Sequence, residues 1–312
     1  MELVGEASGR ASDALFRGSI EEALAQVAGI RARIAAWEPV GGGDINRAVR
    51  LRLADGSTWF LKENTGKPDD FFLAEAAGLA AIRRTRTIRV PEVLACGKAG
   101  DTLFLLMEDL SGGRRARGAW ERLGQRLAAM HRAETAELLP LGMSYGFSLD
   151  GYIGHTRQKN PPRASWGAFF REARLGFQMK RAWHVFDAPL RRQASWLLDH
   201  LDRYLSEPAA PSLVHGDLWG GNVMTGPDGE LALIDPAAYV GDRESDLAMT
   251  ELFGGFPEAF YRAYEEAAPL AAGYEERRAL YQLYHLLNHL NMFGGGYLAA
   301  VARILRRYAP RG

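Results

Sequence analysis

The order of patterns along this chain predicts an α+β fold, a small antiparallel-sheet lobe followed by a larger, mainly helical lobe. Two observations carry the prediction. Short alternating runs suited to strands crowd the first third, and from Ala119 onward apolar residues recur mostly at helical spacing. A third observation is one glycine-rich polar loop, Leu213 to Val223, framed by short apolar runs inside the helical part. At 312 residues the chain is long for one core and suits two packed lobes. The expected division is 1–108, with an N-terminal helical extension and one helix pair, and 109–312.

The segment up to about Gly18 is small and polar with little periodicity, so loose attachment is expected there. Ser19 with Glu22 three residues on reads as a helix start, carrying Ile20, Leu24 and Val27 on one face and stopping near Gly29. Strands are expected at Arg33–Val40, Ala48–Leu53 and Thr58–Lys62, the last two joined by an Asp55-Gly56 turn. A helix over Asp69–Arg84 places Phe72, Ala76, Leu79 and Ile82 on one stripe with Glu75 near it. Val93–Gly97 and Leu103–Met107 complete the strands of the first lobe, and a connector follows near Glu108–Gly113.

Helices are then expected at Ala119–Arg132, Trp166–Trp183, Pro189–Leu205, Pro257–Ala268, Tyr274–Asn291 and Leu298–Tyr308. Short strands at Leu213–Val214, Val223–Met224 and Leu231–Ile234 frame the polar loop. No repeat or low-complexity tract interrupts this order.

Composition narrows the function. The 38 basic and 38 acidic side chains cancel, so no basic field marks nucleic acid as a partner. The clusters Arg83-Arg84-Thr-Arg86 and Arg114-Arg115-Ala-Arg117 read as solvated helix ends or loops. A single cysteine, Cys96, excludes an intrachain disulfide and a cysteine zinc cage, and fits a reducing, cytoplasmic setting. No apolar run approaches the ~20 residues of a membrane span, so no membrane partner is expected.

The polar loop holds the chemistry. Asp217 is followed five residues later by Asn222, and eighteen residues on by Asp235 at the end of an apolar run. Phosphoryl transfer from ATP to an alcohol needs this set: one carboxylate to orient the hydroxyl and take its proton, and an amide and a carboxylate to hold Mg²⁺. Asp217 is the candidate base, with an ordinary carboxylate pKa that leaves it ionised at neutral pH. Gly216, Gly220 and Gly221 permit tight backbone geometry around it. His215 is expected to lock the loop through hydrogen bonds, with substrate contact as a second role, and Asp246 to cap the loop's N–H groups.

In the first lobe, Gly41, Gly42, Gly43, Asp44, Ile45 and Asn46 form a loop between strands that can fold over phosphates. Lys62, ending an apolar strand, would pair with those phosphates, and Glu75 thirteen residues on would hold it. Met107, Glu108 and Leu110 are placed to meet the adenine at the connector. His285 and His289 stand four apart on a helix, a metal-ligand spacing without a third ligand, and a packed helix is the expectation there.

With these residues laid out, the chain resembles the fructosamine kinase (ketosamine-3-kinase) family, in the aminoglycoside-phosphotransferase-like branch of two-lobe protein-kinase-like folds. The resemblance runs from about Gly18 to Tyr308. It rests on Gly41-Gly-Gly-Asp-Ile-Asn46, Thr87-Ile-Arg-Val-Pro91, His215-Gly-Asp-Leu-Trp-Gly-Gly-Asn222, Leu233-Ile-Asp-Pro-Ala237 and Tyr281-Gln-Leu-Tyr-His-Leu-Leu-Asn-His289. It implies phosphorylation by MgATP of the 3-hydroxyl of a ketose joined to an amine, on small adducts or on glycated protein lysines. The phosphorylated adduct falls apart, so the implied role is deglycation repair. It also implies Asp217 as base, Asn222 and Asp235 as metal ligands, and Trp219 as stacking on the sugar or shaping its pocket, with a core position as the alternative.

Two departures stand out. Asp44 lies where eukaryotic members often carry a cysteine for a redox-controlled dimer, so that switch is not expected and a monomer is. Asp150 to Asn160 resembles the family's substrate-side loop, but Gly151 replaces an expected asparagine, and Arg157 and Lys159 replace prolines. Rival substrates are an aminoglycoside, an amino alcohol or another sugar. A polycation would need acidic residues at the pocket, for which Asp242, Glu244 and Glu251 are candidates. A nucleotide-binding pseudokinase is a third reading, although none of Lys62, Asp217, Asn222 and Asp235 is lost. The chain has no D-F-G or A-P-E run to mark a protein kinase's activation segment.

Overall fold

The computed structural model describes residues 16–22, 24–26, 33–41 and 46–309. Gly42, Gly43, Asp44 and Ile45, most of the N-terminal segment, and the expected helix stop near Gly29 lie outside the described residues. The first helix, α1, is described over 16–22 and 24–26 and is already helical at Phe16. Ser19 therefore lies inside it, not at its cap.

Five strands form one antiparallel sheet in the order β1-β2-β3-β5-β4. They are β1 (Ile34–Val40), β2 (Arg47–Leu53), β3 (Thr58–Thr65), β4 (Val93–Ala99) and β5 (Thr102–Glu108). The Asp55-Gly56 turn forms as predicted: Gly56 takes φ 86°, and Asp55 Oδ1 accepts the Ser57 N–H at 2.9 Å.

Alternation along β5 explains the layering. Phe104 and Leu106 face one side with Val49, Leu51 and Leu61, and α1 covers them with Ile20 and Leu24. Leu103, Leu105 and Met107 face the other, against Phe71 and Phe72 of α2 (Phe71–Arg84). A strand buried on both faces reads as a continuous apolar run, as Leu103–Met107 does. The same period-two rule puts Leu61 on the α1 side and Lys62 on the α2 side.

The rest is mainly helical. α3 (Ala119–His131) and α8 (Glu258–Ala267) pack together; α6 (Ala188–Asp199), α9 (Tyr274–Phe293) and α10 (Leu298–Tyr308) complete the layer with α7 (Glu244–Leu252). The expected Trp166–Trp183 helix is continuous but not uniform. α4 (Trp166–Phe169) passes into a π-helical stretch, Phe170–Gly176, before α5 (Phe177–Ala182). The π turn brings the Arg171 carbonyl within 2.6 Å of where a Cβ on Gly176 would sit, so glycine is needed there. α6 ends at Asp199, short of the expected Leu205, and a 3₁₀ turn follows over Leu201–Arg203.

Small two-stranded ladders hold the loops. β6 (Gly151–Ile153) pairs with β7 (Thr156–Gln158), β8 (Ser212–Val214) with β11 (Tyr239–Gly241), and β9 (Val223–Thr225) with β10 (Leu231–Leu233). The β6–β7 hairpin, β11 and α7 were not expected. Three-residue strands are too short to show alternation. Every residue of α7 from Glu244 to Thr250 is buried, so the helix lacks the one-sided stripe that reveals amphipathic helices. Among the described residues no helix is long and apolar enough to cross a membrane.

Candidate active site

A cleft of about 470 Å³ lies between the sheet and the helical layer. From the sheet side Gly41, Asn46 and Lys62 line it, with Glu75 of α2. From the helical side come Asp217, Trp219, Asn222 and Asp235. Met107, Glu108 and Leu110 line it at the connector, but the Glu108 side chain is turned to Arg89, accepting from Nη2 at 2.8 Å. Its backbone N–H is likewise taken, by the Glu92 carbonyl at 2.8 Å.

Lys62 joins the two sides. Its ammonium donates to Glu75 Oε1 at 2.6 Å and to Asp235 Oδ1. Burial works against its charge, but Glu75 and Asp235 outweigh burial and hold its pKa above the usual lysine value. The helix bearing Glu75 seats directly on the Asp235 loop, because Gly78 leaves room: a Cβ there would meet the Ala238 Cβ at 3.1 Å and Pro236 Cγ at 3.4 Å. Asp235 itself takes φ 56°, an uncommon conformation for a residue with a Cβ. It lies between β10 (Leu231–Leu233) and β11 (Tyr239–Gly241) and lines the cleft.

The loop from His215 to Asn222 is held from beneath by Asp246 on α7. Its carboxylate accepts the His215 N–H at 2.7 Å and the Gly216 N–H at 2.8 Å. His131 of α3 donates from Nε2 to the same carboxylate at 3.1 Å. Burial alone would raise the Asp246 carboxyl, but the His131 hydrogen bond and the loop's N–H donors hold it below its ordinary range. His131 escaped sequence analysis, since nothing in a lone histidine ending an amphipathic helix points to a loop far along the chain.

His215 does not line the cleft, which corrects its suggested contact with substrate. Its ring is buried; Nε2 donates to Ile234 O at 2.9 Å and Nδ1 accepts the Asp217 N–H at 3.3 Å. Burial lowers its pKa and keeps the ring neutral, as that pair of bonds requires. Gly216 takes φ 81°, and a Cβ there would collide with Ala237 O. Trp219 is 42% exposed and lays its indole over Gly221, where any Cβ would strike the ring.

Asn222 donates from Nδ2 to the Asp217 backbone carbonyl at 2.8 Å, which commits its nitrogen and leaves Oδ1 as the amide's acceptor. Together with Asp235 this is an all-oxygen donor pair. It suits Mg²⁺, which takes one or two carboxylates and fills its remaining positions with phosphates and water. Among the described residues no cluster of three or more His, Cys, Asp and Glu side chains competes for a metal. His289 Nδ1 is committed to His285 O at 2.8 Å, and burial drives His285 down to about 3.

Asp217 differs from expectation. Burial first, then the negative charge of Asp235, push its carboxyl up to about 7, well above the ordinary carboxylate range. In metal-free protein, carbon-detected NMR is expected to place its titration midpoint near that value. Added Mg²⁺ should offset the Asp235 charge and draw the midpoint down. A metal-free midpoint in the ordinary carboxylate range would show that the cleft does not desolvate this group.

The model of the fructosamine kinase family matches residues 17–310. The chain belongs to that family. A Synechocystis protein assigned as a ketoamine kinase is 41% identical over 297 residues, spanning 93% of this chain and 95% of that protein. The chloroplastic protein-ribulosamine 3-kinase of Arabidopsis thaliana is 38% identical, over 86% of this chain and 81% of its own length. A crystal structure from Thermobifida fusca assigned as a fructosamine-3-kinase superposes with a TM-score of 0.79 at 35% identity, covering 92% and 97% of the two chains. Spectinomycin phosphotransferase, at 14% identity and a TM-score of 0.55, shares the fold. The expected α+β, protein-kinase-like architecture, with its antiparallel first lobe and helical second lobe, is the fold of this fructosamine kinase family member.

Proposed function

We propose that this protein transfers the γ-phosphoryl group of ATP to the 3-hydroxyl of a ketosamine, a fructosamine or ribulosamine adduct of a small amine or a protein lysine. The observation that carries the transfer chemistry is the meeting of Lys62, from the sheet, with Asp235, from the helical side, above Asp217 and Asn222 in one cleft. In this proposal residues 1–108 form the nucleotide side and 109–312 the catalytic and substrate side.

Lys62, kept cationic by its two carboxylates, would bind the phosphates, and Glu75 fixes its position. The loop from Gly41 to Asn46 would close over them. Met107, Glu108 and Leu110 would meet the adenine at the connector. Asn222 and Asp235 would hold Mg²⁺, whose charge screens the phosphates. Asp217 would orient the acceptor hydroxyl and accept its proton, positioning being the larger part of its contribution. Trp219, exposed at the mouth over Gly221, would pack on the sugar.

The relatives named for ketoamine and ribulosamine support the ketosamine as acceptor. The polycation rival loses its support at the acids it would need. Asp242 accepts from Tyr281 Oη at 2.7 Å, and Glu244 accepts from Arg277 at 2.7 Å. Glu251 is taken by Tyr274 Oη at 2.6 Å and by Arg278. Release of the phosphorylated sugar would make the activity a deglycation repair. A reducing, cytoplasmic setting and a monomer belong to the same proposal; the lone Cys96 can form no intrachain disulfide.

The test is a substrate panel with MgATP read by mass spectrometry. Fructose–lysine or ribulose–lysine adducts are expected to gain one phosphoryl group, while aminoglycosides and amino alcohols stay unmodified. The reverse pattern would overturn the acceptor assignment.

A further inference from the structure

Asp70 occupies the N-cap position of α2 yet makes no capping hydrogen bond with its side chain. An aspartate there ordinarily contributes about 1 kcal/mol to its helix by accepting a first-turn N–H. Here the carboxylate turns across to the β6–β7 hairpin. Oδ1 accepts from Tyr152 Oη at 2.7 Å and Oδ2 from Arg157 Nη1 at 2.6 Å. The same Nη1 donates to Tyr152 Oη at 2.5 Å, and the guanidinium lies 5.0 Å over the Tyr152 ring. The Tyr152 and Phe71 ring centroids are 4.8 Å apart, so the first residue of α2 is also packed against the hairpin.

The far end of this hairpin is fixed to the helical side by buried bonds. Gln158 Nε2 donates to Ala237 O at 2.7 Å, two residues beyond Asp235, and its Oε1 accepts from Tyr284 Oη at 2.7 Å. Arg174, fully buried in the π-helical stretch, donates from Nη2 to Asn160 Oδ1 at 2.8 Å. One end is therefore locked beside Asp235 while the other grips the start of the helix bearing Glu75.

We propose that the 151–158 hairpin is a strut that sets where α2 sits, with Tyr152 and Arg157 acting as positioning residues for the Lys62 ammonium through Asp70 and Glu75. The proposal rests on the phosphoryl-transfer reading only where nucleotide turnover is measured. Loss of the grip frees the first turn of α2, displaces Glu75, and leaves Lys62 misplaced for the phosphates while the Asp217 loop stays intact. The half-exposed pair is weak as an isolated salt bridge; its effect comes from joining two rigid elements at a lever point.

The test is a double-mutant cycle of Arg157→Ala and Asp70→Asn, read by KM for ATP and by hydrogen exchange over residues 71–78. Each single variant should raise KM for ATP about ten-fold and speed exchange in that turn, and the double variant should be no worse than the more affected single. Additive effects, an unmoved KM for ATP, or unchanged exchange would overturn the proposal. Tyr152→Phe, which removes one hydroxyl, serves as the milder variant if Arg157→Ala folds poorly. Exchange needs no turnover, so it reports on the strut even if no ketosamine is phosphorylated.

Discussion

Asp217→Asn is expected to lower kcat by a hundred- to ten-thousand-fold, the usual range of about 10² to 10⁴ for losing a general base, with nucleotide affinity retained. The substitution leaves the loop's backbone bonds in place and alters only a longer contact, Asn222 Nδ2 to Asp217 Oδ2 at 3.4 Å. Asn222 reaches the backbone carbonyl of residue 217, and the His215 contact uses the residue 217 N–H, so neither depends on the carboxylate. What disappears is the proton acceptor and one negative charge beside Asp235. Steady-state kinetics with calorimetric measurement of nucleotide binding separates the two. Near wild-type kcat would remove Asp217 from the chemistry, and a collapse of nucleotide binding would make its role structural.

Asp246→Ala should produce the largest loss of stability. The carboxylate is the shared acceptor for two backbone N–H groups and His131, all in the interior. Each buried donor left without a partner costs about 1–3 kcal/mol, and breaking a buried charged network typically totals about 3–5 kcal/mol. A fall in Tm of about 10 °C follows for a chain of this size. Asp246→Asn keeps one acceptor and should fall between the two. Because the loop bearing Asp217 hangs from this carboxylate, the folded fraction should also lose kcat. Thermal melts of the three proteins decide it; an unshifted Tm for Asp246→Ala would mean the loop is anchored elsewhere.

Much of this arrangement was legible because its parts obey local rules. Lys62 and Glu75 stood out as a buried cation at a strand end and a carboxylate on the next helix, and they meet at 2.6 Å. The loop stood out because glycine and polar residues interrupt apolar strands. Gly41 and Asn46 line the cleft as expected, and Gly42 to Ile45 lie outside the described residues. Three features had no local signal. His131 reaches Asp246 only through the packing of α3 on α7's layer. The Asp217 pKa depends on desolvation that the fold creates, so an ordinary value was the natural expectation. The β6–β7 hairpin is too short to alternate, and the departures at Gly151 and Arg157 were visible without the partner, Asp70, that gives Arg157 its meaning.

The central claim is that Asp217 presents one particular hydroxyl of a ketosamine to ATP bound at Lys62. Phosphorus–proton correlation NMR of the product from fructosyl-lysine and MgATP tests it directly. A single new phosphate ester coupled to the proton on ketose carbon 3 is expected. A phosphate on another hydroxyl, or no new ester while the enzyme phosphorylates a different alcohol, would contradict it.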